Sequence, residues 1–240
     1  MSIEPFELSR GRTLGGKYVV EERIGNGWEG EVYRVVESRT GIQRAAKLFY
    51  PERNPKDRTV ARYARRLERL RTCRAIIQYH HSETVRIRGA TVTCLISELV
   101  HGEVLSAFVA RHPGRRLHTL DALHLLHALA QSLDCIHGAG EYHGDLHDEN
   151  VLVRRQGICY ELRICDFFYR GRATREAMRE DIIDAVHLFH AALGGTARYA
   201  RQPPEVKTIC RGLRRSLILA RFPSAHHLCH HLETFDWSPL

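Results

Sequence analysis

The residues that could do chemistry are concentrated in one stretch, Tyr142-His143-Gly144-Asp145-Leu146-His147-Asp148-Glu149-Asn150. A carboxylate, Asp145, and an amide, Asn150, stand five residues apart in it. An apolar helical pattern over about 119–138 precedes the stretch, and the apolar run Val151-Leu152-Val153 follows it. A loop held by two rigid elements is where reacting groups are commonly placed. Phosphoryl transfer needs such a pair: a carboxylate to orient the attacking hydroxyl and a carbonyl oxygen to hold magnesium. A helix-to-strand turn would use the same residue types, since Gly, Asp and Asn all favour turns. The stretch alone leaves both readings open, so the elements that must position it decide.

A chain of 240 residues can bury one sizeable core or two small lobes. Its longest apolar runs fall short of a membrane span. Met1-Ser2-Ile3-Glu4-Pro5 has no basic start followed by an apolar core, so no secretory signal is expected. The seven cysteines are scattered without a CxxC pair. That pattern argues for reduced thiols in a cytoplasmic compartment, and against a disulfide framework or a zinc knuckle. The sixteen histidines form pairs such as His124/His127 and His226/His230, but nothing completes a metal signature around them. The net charge is +8, yet the basic residues are spread along the chain without aromatic interleaving, which does not favour nucleic acid as a partner. Lys17, Lys47, Lys56 and Lys207 are the only lysines. A lysine kept in so arginine-rich a chain suggests a need for a compact ammonium.

Residues 1–16 read as an irregular arm, followed by strands over 18–24 and 31–37. Between these strands, glycines at 25, 27 and 30 would let a hairpin tip lie close over phosphate oxygens. A strand rather than a helix follows the glycines, which separates this pattern from the dinucleotide-binding one. A third strand, 43–50, carries Lys47 among apolar neighbours, where an ammonium needs anionic company. A helix over 57–72 would bury Val60, Ala64, Leu67 and Leu70, with Glu68 beside that stripe and able to turn toward Lys47. Local pairing of Glu68 with neighbouring arginines is the alternative. Strands at 77–88 and 91–100 lead into a hinge near 98–102, and the chain beyond it is mainly helical. A short strand, 159–165, ends at Asp166, a second carboxylate that with Asn150 would make a magnesium site.

Taken in order, these motifs resemble the protein kinase family over nearly the whole chain, and specifically a compact bacterial serine/threonine kinase of eukaryotic type. Gly25 to Val32 fits GxGxxGxV without a gap, and Arg44-Ala45-Ala46-Lys47 takes the place of VAIK. His143 to Asn150 stands where HRDLKPEN would, and Asp166-Phe167-Phe168 stands for DFG. The resemblance implies an α+β bilobal fold forming a single kinase domain over 1–240. Its N-lobe, about 17–100, would be an antiparallel sheet with one main helix, and its C-lobe, 103–240, mainly helical. It further implies ATP and Mg2+ as cofactors and protein substrates as partners. Asp145 would be the catalytic base, Lys47 the phosphate-binding lysine and Glu68 its helix partner. Asn150 and Asp166 would be the metal ligands. Ile24, Gly25, Asn26, Gly27, Gly30, Val32, Ala45, Ser97, Glu98, Val100 and Leu152 would surround the nucleotide. Asp181 would anchor the catalytic loop from a central buried helix.

Four departures qualify the resemblance. Gly144 replaces the Arg that receives an activation-loop phosphate, so gating by that route is not expected. His147 stands in for the Lys that touches the transferred phosphate and would bring pH sensitivity. Phe168 replaces the DFG glycine and would restrict the backbone there. Asp181 follows Asp166 by only 15 positions, and no APE motif fits between them. Three functions therefore stand: a serine/threonine protein kinase, a small-molecule phosphotransferase like the aminoglycoside and choline kinases, and a pseudokinase binding module.

Overall fold

Alternation of apolar and polar residues dominates the first hundred positions, and helical periodicity dominates the rest. A computed structural model of the chain, described here for residues 5–157 and 159–236, follows that change. The chain divides into two compact units. The first runs through Thr72 and again from Ile77 to Val100, and the second comprises Cys73–Ile76 and everything from His101 onward.

The first unit is a six-stranded antiparallel sheet and one helix. Its elements are β1 (Thr13–Leu14), β2 (Tyr18–Asn26), β3 (Gly30–Glu37), β4 (Gln43–Phe49), α1 (Arg58–Arg69), β5 (Tyr79–Ile87) and β6 (Ala90–Glu98). The strands lie in the order β1-β2-β3-β4-β6-β5. Period two puts Val20, Tyr33, Val35, Ala46, Leu48, Val92, Cys94 and Ile96 into one buried cluster. The arm is less irregular than its sequence suggests. It supplies β1 and buries Phe6, Leu8 and Leu14 in the same cluster, while residues 1–4 lie outside the described residues.

Glu31 ties the arm to the sheet. Its buried carboxylate accepts the Phe6 N–H at 2.8 Å, the Tyr50 hydroxyl at 3.0 Å and the Tyr33 hydroxyl. Burial pushes this carboxyl upward, but these donors outweigh it and hold the group below its ordinary range.

The second unit opens with β7 (Glu103–Val104) and α2 (Leu105–Ala110). Then come α3 (Thr119–Gly138), β8 (Val151–Gln156), β9 (Cys159–Ile164) and α4 (Arg175–Ala192). Four shorter helices follow: α5 (Thr196–Tyr199), α6 (Pro204–Cys210), α7 (Arg215–Arg221) and α8 (Ala225–Thr234). Helix α3 buries Leu123, Leu126, Leu129, Leu133 and Ile136 among others, and α4 buries residues around most of its circumference, as central helices must. Strands β7, β8 and β9 form a small antiparallel sheet. The segment 73–76 joins this unit through the Ile164 N–H, which donates to Ala75 O at 2.7 Å. No described helix is long and apolar enough to cross a membrane.

The cysteine reading needs correction. Cys73 and Cys135 form a disulfide, 62 residues apart in sequence with Cα atoms 5.9 Å apart. Spacing could not reveal the pair, because the fold itself brings the segment before β5 against α3. Among the described residues the other five cysteines carry no disulfide.

Candidate active site

The loop between α3 and β8 is built around the carboxylate of Asp181, on the buried face of α4. Asp181 Oδ2 accepts the His143 N–H at 2.6 Å and Oδ1 accepts the Gly144 N–H at 2.8 Å. The His137 Nε2 atom, from the end of α3, lies 3.0 Å from Oδ2. Asp181 is fully buried, so this is a charge held by hydrogen bonds rather than by solvent. The His143 ring extends the network. Its Nδ1 accepts the Asp145 N–H at 3.3 Å and its Nε2 meets Cys165 O at 2.8 Å. Those partners require a neutral ring with its proton on Nε2. Asp145 thus projects from a backbone fixed on both sides, with its own side chain half exposed to whatever approaches.

Asn150 closes the loop. Its Nδ2 donates to Asp145 O at 2.9 Å and lies 2.9 Å from His147 Nε2. With the amide nitrogen so engaged, no described protein group donates to Oδ1. The Cys165 N–H donates to Asn150 O at 3.0 Å, and Val151 pairs with Ile164, so Asp166 follows directly from the strand end beside Asn150. An amide oxygen and a carboxylate are hard donors that suit magnesium, an ion that keeps several waters and takes its other ligands from phosphates. No cluster of three or more His, Cys, Asp or Glu that could hold a metal exists among the described residues.

Two departures in the loop now have physical causes. Gly144 has φ +84°, and a Cβ there would come within 2.8 Å of the Tyr142 ring and 2.9 Å of Phe168 O. An arginine would be strained in backbone and blocked in space. The left-handed conformation after β9 is taken by Asp166 itself, at φ 56°, and not by Phe168. Position 168 therefore has no need of glycine.

In the first unit the glycine hairpin is tight at its far end. A Cβ on Gly30 would lie 1.9 Å from Leu48 O, so β3 can approach β4 only without a side chain at this position. The Gly27 N–H donates to Gly30 O at 2.9 Å across the tip. Exposed Trp28 carries the Arg53 guanidinium over its ring at 3.1 Å.

Lys47, opposite Val32 on β4, does not pair with Glu68. Its Nζ lies 3.0 Å from Glu29 Oε2, in the hairpin tip, and 4.8 Å from the Tyr63 ring centroid. Glu68 is exposed and pairs with Arg71 at 3.3 Å. The phase of α1 explains the difference. The buried stripe runs through Val60, Tyr63 and Leu67 and on to Leu70, rather than through Ala64. At 100° per residue that rotation presents Tyr63 toward Lys47 and turns Glu68 roughly a third of a turn away. Glu29 went unrecognised, although a carboxylate directly before the third glycine was a usable signal.

The other expected nucleotide neighbours are distributed as follows. Ile24, Gly25 and Asn26 lie on β2, where Gly25 pairs with Val32 and Asn26 with Glu31, and Ala45 faces Ser97 between β4 and β6. Ser97 is buried, and the Glu98 N–H donates to Gln78 O at 3.0 Å. Val100 ends the first unit, while Leu152 is half-buried on β8 of the second.

Comparison with known proteins identifies the family and the fold. The family model described as the protein kinase domain matches residues 18–200. A probable serine/threonine-protein kinase of Streptomyces coelicolor is 27% identical over 190 residues, 78% of this chain and 26% of the relative. The serine/threonine-protein kinase PknA of Mycobacterium tuberculosis is 30% identical over 162 residues, 65% of this chain and 36% of PknA. The chain thus spans about a quarter to a third of these relatives' length. The fold is similar to that of a double mutant of the Mycobacterium tuberculosis PknI kinase domain, with a TM-score of 0.67, 22% identity and coverage of 94% of this chain and 98% of that one. The chain belongs to the protein kinase domain family.

Proposed function

We propose that this chain transfers the γ-phosphate of ATP to serine or threonine hydroxyls of protein substrates, in the cytoplasm where ATP is supplied. It would do so without gating by activation-loop phosphorylation. The observation that carries the reading is the catalytic loop, in which the Asn150 amide donates to the Asp145 backbone carbonyl and the Asp181 carboxylate accepts the N–H groups of His143 and Gly144 just before it. In this reading Asp145 accepts and orients the acceptor hydroxyl. Asn150 Oδ1 and Asp166 hold magnesium, which neutralises phosphate charge when bound. Lys47 leaves Glu29 to meet the phosphates as a compact cation. The glycine hairpin brings backbone N–H groups over them and excludes water. His147 Nε2, 3.7 Å from Asp145 Oδ2, is placed to respond to charge on the loop.

Labelled ATP offered with a protein lysate and, separately, with a metabolite mixture tests this reading. Label on serine and threonine of proteins is expected. Label only on small molecules would favour the phosphotransferase alternative, which the 15-residue span from Asp166 to Asp181 supports. Failure to bind Mg-ATP in a thermal-shift assay would favour the pseudokinase alternative, which the Lys47–Glu29 pair supports.

A further inference from the structure

The segment from Phe168 to Thr174 joins Asp166 to α4, and three of its anchor points are hydrogen bonds within the chain that use no phosphate. At its start the Phe168 N–H donates to His143 O at 3.0 Å. At its end Thr174 caps α4, its hydroxyl accepting the Ala177 N–H at 3.1 Å. In the middle the Tyr142 side chain reaches across the turn. The Tyr142 hydroxyl accepts the Arg170 N–H at 2.7 Å and donates to Gly171 O at 3.1 Å. A single buried hydroxyl thereby satisfies both a donor and an acceptor across the turn at Gly171, whose φ is +112°.

Tyr142 can do this only because of its neighbour. Its ring occupies the space that a side chain at position 144 would need. The His143 and Gly144 N–H groups, directly after Tyr142, donate to Asp181 and lead into Asp145. The position of the segment and the position of the catalytic carboxylate are therefore set by one short piece of backbone.

We propose that Tyr142 is a positioning residue, a built-in clamp that holds the segment 168–171 in register with Asp145 in the unphosphorylated protein. Gly144 is the vacancy that admits it. The link to phosphoryl transfer rests on the proposed function, whereas the clamp itself does not. An interaction of this kind replaces a regulated contact with a permanent one, so the segment needs no modification to take its place.

The test uses the full chain after phosphatase treatment, as wild type, Tyr142→Phe and Gly144→Ala. Tyr142→Phe keeps the ring and removes only the hydroxyl. Its Arg170 amide is expected to exchange with solvent about tenfold faster, as befits loss of one buried hydrogen bond. Its kcat is expected to fall about tenfold with KM for ATP little changed, since the reacting groups are misplaced rather than removed. Gly144→Ala, which displaces the ring, should move both readouts in the same direction. Unchanged Arg170 exchange in Tyr142→Phe would overturn the clamp, as would loss of Arg170 protection in the wild type on phosphatase treatment. Faster exchange with full kcat would overturn its role in positioning Asp145. If wild type transfers no phosphate yet Arg170 exchange still accelerates in the variant, the clamp stands and the proposed function fails.

Discussion

Two buried carboxylates organise the two units, and they do different work. Asp181 in the second unit and Glu31 in the first both lie out of solvent and both accept several hydrogen bonds. Beside the His137 ring, the donors to Asp181 are backbone groups of the loop that carries Asp145, so its geometry reaches the reacting group within two residues. The donors to Glu31 are tyrosine hydroxyls and the backbone of the N-terminal arm, so its geometry ends in the packing of the sheet. A buried charge with satisfied partners can thus position chemistry or close a core, and the identity of its donors decides which.

The contrast is broken most severely at Asp181. Asp181→Ala leaves two buried N–H groups without an acceptor, a loss of about 3–5 kcal/mol. At roughly 2–4 °C per kcal/mol for a chain of this size, the midpoint of thermal unfolding should drop by about 6–20 °C, and phosphoryl transfer should be lost with it. A Glu31→Gln variant should cost less, about 1.5–3 kcal/mol, because its donors are largely neutral and the amide keeps one acceptor. Once allowance is made for stability, its phosphoryl transfer should be retained.

The same variant carries a pH signature. The folded carboxyl of Glu31 lies below its unfolded value. Its contribution is therefore present in full above the ordinary glutamate range and lost as pH falls through the folded value. The difference between wild type and Glu31→Gln in denaturant unfolding should be largest near neutrality and shrink on acidification.

Asp184 sharpens the comparison with the opposite sign. Burial, and then the charges of Asp181 and Glu180, push its carboxyl up to about 6. A raised carboxyl destabilises the fold as pH rises from the unfolded value through about 6. Asp184→Asn should therefore be stabilising by about 2 kcal/mol at pH 7 and neutral near pH 4, read by unfolding at the two pH values. The smallest effect is expected at Glu68. Glu68→Ala removes an exposed pair and should change stability by no more than about 0.5 kcal/mol. Glu29→Gln should instead lower KM for ATP severalfold, because Lys47 no longer has to leave this carboxylate to meet the phosphates.

What was legible in the sequence follows from which interactions are periodic or contiguous. Strand alternation around Val35 and Leu48, and the helical runs around Leu129 and Phe189, are local and could be read directly. The loop from His143 to Asn150 is contiguous, and so is its relation to the following strand. The partner of Lys47 depends on the phase of α1, where a shift of one residue in the buried stripe exchanges Glu68 for Tyr63. The Cys73–Cys135 bond and the reach of Tyr142 to Arg170 and Gly171 join positions 62 and about 28 residues apart, and only the folded chain shows them. Gly144 was visible as a departure, but its reason lies in a ring and a carbonyl that no spacing rule indicates.

The most direct test of the account is intact mass before and after incubation with Mg-ATP, for the wild type and for Asp145→Ala. A gain in whole phosphate units by the wild type, absent in Asp145→Ala, is the predicted result. An equal gain in both would contradict the role given to Asp145. ATP consumption without any gain would contradict transfer to protein.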